Sequence, residues 1–246
     1  MNNYRKLLAC LLAVVMSMSL LAACGSKKDN DQESAEESAA AQEQTEAAEK
    51  EADEEEREAE RPEIDYLIVV NSNNPVPSDW EEKITLSYTC NSVGDDVYAE
   101  TRTYKAYLEM KDELEKQGVH VELDSGFRSL AAQQQIIDDF TEKYGASYAR
   151  TYATAPGYSE HHTGLALDLY LIVDGVTAYE NEDLMKYPEV WEKIHALLPD
   201  YGFILSYPNN GKTTYEPWHI RYVGEEAAKE ITERGITLEA YVAEKG

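Results

Sequence analysis

The stretch Tyr158–Val173, Y-S-E-H-H-T-G-L-A-L-D-L-Y-L-I-V, decides how this chain is read. From Gly164 to Val173 it is the most strand-like segment in the sequence. Ahead of that run stand two adjacent histidines, His161 and His162, and within it an aspartate, Asp168. His161 and Asp168 lie seven residues apart, a span of roughly 23 Å if fully extended. Shared ligation of a metal therefore requires the chain to fold back near Gly164, where glycine takes the needed backbone angles without steric cost. Alone, the pair reads better as residues of a strand and its turn, because short spacings arise by chance.

Working outward, Tyr66 to Val70 (Y-L-I-V-V) reads as a short buried strand closed by the turn-rich N-S-N-N-P-V-P-S. Tyr104 to Gly118 carries Tyr104, Tyr107, Leu108 and Leu114 between charges, an amphipathic helix ended by glycine. His120 to Leu123 alternates as a strand and S-G-F-R-S follows as a turn. Leu130 to Tyr144 is a second helix, again ended by a glycine. Trp191 to Leu198 predicts a helix, Gly202 to Tyr207 and Glu216 to Val223 predict strands, and the tail holds one or two short helices. There is no internal repeat and no regular βαβ alternation. The pattern is α+β: a single domain with a mainly antiparallel central sheet flanked by helices.

Residues 1–23 are set apart from this domain. Arg5 and Lys6 precede an apolar run from Leu7 to Leu21, which ends L-A-A-C at Cys24. This has the make-up of a secretory signal, too short and wrongly flanked for a spanning helix. Ala22 and Ala23 before Cys24, with Gly25 and Ser26 after it, resemble a bacterial lipoprotein box. The expectation is cleavage before Cys24 and acylation of its thiol, with ordinary signal cleavage nearby as the plainer alternative. Residues 24–62 then form a lipidated cysteine and an acidic low-complexity tether. Lys27 to Pro62 contains no aromatic residue, Val, Ile or Leu, so it cannot bury a core. Its 36 residues reach roughly 35 Å as a coil or about 54 Å as a helix.

The domain, residues 63–246, carries 33 acidic against 15 basic side chains, a balance of −18. Such a surface repels phosphate backbones, which argues against nucleic-acid binding. Cys10 and Cys24 fall upstream and leave Cys90 alone, so there is neither a disulfide framework nor a CxxC zinc knuckle. Any metal here must be held by histidine and carboxylate.

Two further constellations carry chemistry. Y-E-P-W-H, Tyr215 to His219, sets a carboxylate and an imidazole three residues apart, with a proline keeping Glu216 out of α-helical geometry. Metal-assisted hydrolysis needs an imidazole ligand and a carboxylate that is not a ligand, to take a proton from water and return it to the leaving amine. By itself the motif is better explained by a buried Trp–His edge with a surface glutamate. S-G-F-R-S, Ser125 to Ser129, presents Arg128 on a turn between a strand and a helix, where its planar fork suits a carboxylate or oxyanion. By itself it is better explained by Ser129 capping a helix beside a solvated arginine.

In order along the chain, S-G-F-R-S, S-E-H-H-T-G-L-A-L-D, Y-G-F-I-L-S-Y-P and Y-E-P-W-H-I-R-Y-V-G closely resemble the VanY-type zinc D-alanyl-D-alanine carboxypeptidases. That wider group includes VanX-type dipeptidases, L,D-carboxypeptidases and phage endolysins. The resemblance runs from about Tyr66 to the C-terminus and implies a Hedgehog/D-Ala-D-Ala peptidase-like fold with one Zn2+ per domain. It implies His161, Asp168 and His219 as zinc ligands and Glu216 as general base and acid. It also implies Arg128 beside the scissile carbonyl, and Gln133 and Ser159 as substrate contacts. His162 stands where the family usually has glutamine or asparagine, and either orients the site from behind its ligands or faces solvent. His120 and His195 read as structural or exposed. The N-N-G-K-T-T segment is shorter than usual, and Ser206 occupies a position where arginine is common.

The expected activity is removal of the C-terminal D-alanine from peptidoglycan stem peptides. An L,D-carboxypeptidase acting on the tetrapeptide stem differs by one residue of substrate and stays open. So does a catalytically idle zinc or cell-wall binding module, against which Glu216 argues. A serine penicillin-binding enzyme is disfavoured, since no S-x-x-K occurs in the domain. The expected setting is extracytoplasmic, with a lipid anchor in the bacterial cell membrane, stem peptides as partners, no nucleic acid, and a monomer.

Overall fold

Strand β4, Ala166–Val173, is buried along nearly its whole length, and the domain is assembled around it. In the computed structural model the described residues are 64–210 and 214–245, within a compact unit spanning Arg61–Gly246. The expected signal segment, Cys24 and the acidic tether lie outside the described residues. Strand β3, His120–Ser125, pairs antiparallel with one side of β4. On its other side β4 pairs with β7, His219–Tyr222, and with the short β5, Val176–Ala178. Strand β6, Phe203–Leu205, lies beyond β7, giving the order β3-β4-β7-β6 with every pairing antiparallel. The α+β class read from the sequence is the observed one.

Helix α2, Thr101–Lys116, and helix α6, Pro188–Leu197, supply Tyr107, Met110, Leu114, Trp191 and Ile194 to the main core. These meet Val121, Leu123, Leu167, Leu169 and Ile220 of the sheet. Each fully buried aliphatic side chain of this kind contributes about 1.5–3 kcal/mol. A second core joins Ile204 and Val223 to helices α7, Glu225–Arg234, and α8, Leu238–Lys245. Helix α3, Leu130–Tyr144, has the bounds its sequence predicts because both ends are encoded locally. Ser129 Oγ accepts a hydrogen bond from the Ala132 amide, and the chain leaves the helix at Gly145 with φ +90°. No helix among the described residues is long and apolar enough to cross a membrane.

Three differences from the sequence reading stand out, besides the strand expected over Glu216–Val223, which spans only His219–Tyr222. Tyr66–Val70 is not a strand: it opens on a turn in which the Ile68 amide donates to the Asp65 carbonyl (3.2 Å). Its side chains alternate between two clusters, Tyr66 and Ile68 against Trp80 and Leu165, Leu67 and Val69 against the α7–α8 core. Two of its carbonyls, those of Tyr66 and Ile68, accept hydrogen bonds from the guanidinium of Arg221 instead of from a neighbouring strand. The second difference is a hairpin the sequence did not announce, β1 Leu86–Cys90 with β2 Asp96–Glu100. Its turn is organised by the Asn91 side chain, which accepts from the amides of Val93 and Asp95. Third, Leu108 is 40% exposed, so the buried stripe of α2 is narrower than its periodicity suggested.

Candidate metal centre

Strand register brings the site together. Asp168 of β4 is the direct cross-strand partner of His219 on β7, and on its other side it faces Ser125 of β3. His161 arrives from a 3-10 turn, Glu160–Thr163, which reverses at Gly164. That glycine has φ +72°, and a Cβ there would lie 3.1 Å from the Glu100 amide nitrogen, so a side chain is disfavoured twice over. The indole of Trp80 donates to the Thr163 carbonyl (3.1 Å) and pins the turn from below. The fold-back that shared ligation demanded is therefore present.

His161 Nε2 lies 3.1 Å from Asp168 Oδ2, and His219 Nδ1 lies 2.9 Å from Asp168 Oδ1. One ligand atom from each of the three residues falls within 4.8 Å of the others. Two imidazole nitrogens and a carboxylate oxygen, from residues that line one cleft, are a donor set that fits zinc. The far nitrogen of each ring is also engaged. His161 Nδ1 is 2.8 Å from the Gly126 carbonyl, which fixes Nδ1–H as donor and turns Nε2 inward. His219 Nε2 is 2.9 Å from Glu160 Oε2, which turns Nδ1 inward.

Gly126 is required for this arrangement. A Cβ at that position would sit 2.2 Å from the Tyr98 carbonyl oxygen, so only glycine lets the loop pass under β2 and offer its carbonyl to His161.

The charges are strongly coupled. Burial opposes ionisation of Asp168, yet the neighbouring His161 and His219 hold its carboxyl well below the usual carboxylate range. Burial likewise opposes Glu160, but the hydrogen bond from His219 and the charge of Arg221 bring it down to about 2. His219, despite full burial, is raised to about 10 by its hydrogen bonds to Asp168 and Glu160. Without metal, a proton on His219 thus occupies a position that an ion would take.

The S-G-F-R-S loop is clamped by both histidines. The Arg128 amide donates to the His161 carbonyl (3.0 Å), and the Arg128 carbonyl is 2.6 Å from His162 Nδ1. The Gly157 amide donates to His162 Nε2 (3.0 Å), so that nitrogen is the acceptor and Nδ1–H donates to Arg128. His162 is buried and belongs behind the site; the solvent-facing alternative is not what the structure shows. The guanidinium of Arg128 donates to Gln133 Oε1 and to Ser125 Oγ, both at 2.9 Å. Gln133, itself buried, spends its amide group on the Thr154 carbonyl (2.8 Å), so it holds Arg128 in place.

Glu216 reaches the same cleft by a different route. The His219 amide donates to the Glu216 carbonyl (3.2 Å), closing a turn with Pro217 and Trp218 at its centre. This turn explains the three-residue spacing of Y-E-P-W-H. His195 Nε2–H, reaching from α6, donates to the Pro217 carbonyl (2.9 Å) and supports the turn. Burial raises the Glu216 carboxyl above its ordinary value; His219 opposes this, and Asp168 and Glu160 reinforce it.

The cleft has a volume of about 400 Å³; Arg128, Gln133, Ser159, Glu216 and the three metal-facing residues all line it. Sequence reasoning missed Glu160, Arg221 and Asp124. Glu160 adjoins His161 and Arg221 stands two residues after His219, on the same face of β7, so proximity was the available signal. Asp124 lines the cleft at a break in the β3–β4 register between Leu123 and Ser125, where a bulge re-aims side chains; only tertiary pairing reveals it.

Comparison with known proteins agrees with this geometry. Residues 96–225 match the family model for VanY, D-alanyl-D-alanine carboxypeptidase. This chain belongs to that family. It is 36% identical over 167 residues to the putative carboxypeptidase YodJ of Bacillus subtilis, covering 66% of this chain and 56% of that protein. It is 33% identical over 190 residues to a D-alanyl-D-alanine carboxypeptidase of Enterococcus faecalis, covering 72% and 65%. The chain thus spans between half and two thirds of the length of these two relatives. Among solved structures, a mutant of the vancomycin-resistance D,D-pentapeptidase VanY in complex with Zn(II) superposes with a TM-score of 0.58 at 30% identity. That match covers 73% of this chain and 99% of the VanY chain.

Proposed function

We propose that the chain is a zinc-dependent D-alanyl-D-alanine carboxypeptidase that removes the terminal D-alanine from peptidoglycan stem peptides. The observation that carries this reading is the position of Glu216. It lines the same cleft as His161, Asp168 and His219, is half-buried, and has no hydrogen bond or ion pair to its carboxylate among the described residues. A purely structural metal site has no use for such a group. In this reading His161, Asp168 and His219 hold the ion, which supplies Lewis acidity to water and to the peptide carbonyl.

Glu216 accepts the proton of the attacking water and returns it to the departing amine. Its raised affinity for a proton suits both halves of that task. Arg128, oriented by Ser125 and Gln133, stabilises the negative charge that develops on the carbonyl oxygen. Ser159, which lines the same cleft, contacts the peptide. The likeness of the fold to a D,D-pentapeptidase supports the pentapeptide as substrate.

The N-terminal features complete the proposal. Cleavage before Cys24 and its acylation would anchor the protein on the outer side of the cell membrane. The acidic tether would then hold the domain off that surface, as a monomer. Incubating the purified chain with muramyl pentapeptide and tetrapeptide, with and without chelator, tests the activity. Chelator-sensitive release of alanine from the pentapeptide is expected. Release from the tetrapeptide alone would make the enzyme an L,D-carboxypeptidase, and release from neither, with zinc bound, would end the reading. Metabolic labelling with a palmitate analogue, absent from a Cys24→Ser variant, tests the anchor.

A further inference from the structure

We propose that Glu160 and Arg221 are positioning residues that set the affinity for zinc, and that Arg221 ties the metal centre to the Tyr66–Ile68 segment. The proposal rests on the metal reading of His161, Asp168 and His219, and not on which peptide is cleaved.

The two oxygens of Glu160 have separate partners. Oε2 accepts from His219 Nε2 at 2.9 Å, and Oε1 accepts from Arg221 Nη1 at 3.2 Å. Arg221 is fully buried, and its other two nitrogens are engaged as well. Nη2 donates to the carbonyls of Tyr66 (3.2 Å) and Ile68 (2.9 Å), and Nε donates to the Tyr222 carbonyl (3.1 Å). Neither residue lines the 400 Å³ cleft, so neither meets substrate. Both act on the centre through His219.

The physical consequence is specific. A carboxylate at the far nitrogen of a ligating imidazole fixes its tautomer and ring plane and makes it a better donor. Glu160 does this for His219, and Arg221 holds that carboxylate in place. Two buried charges are costly, and an apolar pair is often no less stable, so stability alone does not account for them. The register also makes room for the arginine: Arg221 lies on the same face of β7 as His219, and its cross-strand partner is the small Ala166. The segment that looked like a strand is held by the same guanidinium, because its carbonyls converge there. Movement of Tyr66–Ile68 therefore loosens Arg221, then Glu160, then His219.

The test is zinc affinity of the full chain, measured by competition with a chromogenic chelator at fixed pH. Circular dichroism of the metal-free protein controls for folding. Glu160→Gln is expected to weaken zinc binding about 10- to 100-fold. Arg221→Lys keeps the charge but cannot span Glu160 and both carbonyls. It is expected to weaken zinc binding and to speed amide hydrogen exchange around Ile68. If Glu160→Gln does not fold, the pair Glu160→Gln/Arg221→Met, which leaves no lone buried charge, carries the measurement. A folded Glu160 variant with zinc affinity within twofold of wild type overturns the positioning role. Unchanged affinity and exchange in Arg221→Lys overturn the tie to Tyr66–Ile68. A wild-type chain that takes no zinc overturns both, together with the metal reading itself.

Discussion

Glu160 and Glu216 flank the same histidine, and their surroundings give them opposite tasks. Glu160 is buried against Arg221 and His219, its carboxyl brought down to about 2, so it stays ionised and holds a ring. Glu216 is half-buried without a cation of its own, its carboxyl pushed up, so it is able to gain and lose a proton. Environments that drive two like groups apart in this way identify which one moves protons. A residue's chemistry here is set by what surrounds it and not by its type.

The contrast can be broken most directly at Glu216. Glu216→Gln is expected to lower kcat by about 10²- to 10⁴-fold while zinc stoichiometry stays that of wild type. Full activity in that variant would remove Glu216 as the base. The opposite side of the centre is held by backbone, at the Gly126 carbonyl, and Gly126→Ala probes it. Its Cβ meets the Tyr98 carbonyl, and a loss of about 1–3 kcal/mol in denaturant unfolding is expected. Unchanged stability would mean that the loop shifts freely.

His162→Gln sharpens the division between holding and reacting, since His162 touches the Arg128 carbonyl and no metal-facing atom. A fall of about tenfold in kcat/KM is expected, equivalent to about 1.4 kcal/mol, with zinc affinity unchanged. Loss of zinc instead would place His162 in the ligand support.

A further test is a pH dependence of the metal-free chain. His219 is raised from 6.5 to about 10, so its contribution is full below 6.5 and is lost as pH rises through about 10. With chelator present, Tm is expected to fall between pH 7 and pH 10, by about 2–4 °C for each kcal/mol lost. Zinc, which takes the place of that proton, is expected to abolish this decline. A flat chelated profile would show that His219 carries no such coupling.

Much of the site was legible because its parts are local. Y-E-P-W-H contains both ends of its turn, and S-G-F-R-S contains its own helix cap, the cap of α3. The two histidines preceded a glycine that had to reverse the chain, and Gly164 does so. Tyr66–Val70 misled because an apolar run records that a segment is buried and not who takes its hydrogen bonds. Its partner was a single side chain more than 150 positions away.

The sequence by itself determined the α+β class, most of the helices and sheet strands around the site, the motifs and the acidic balance of the domain. These depend on periodicity, local capping and composition, all of which act over a few residues. Only the tertiary structure decided that Asp168 faces His219, that His162 clamps Arg128, and that Glu160 and Glu216 differ in kind. Register and burial decide those, and both arise from contacts between segments far apart in the chain.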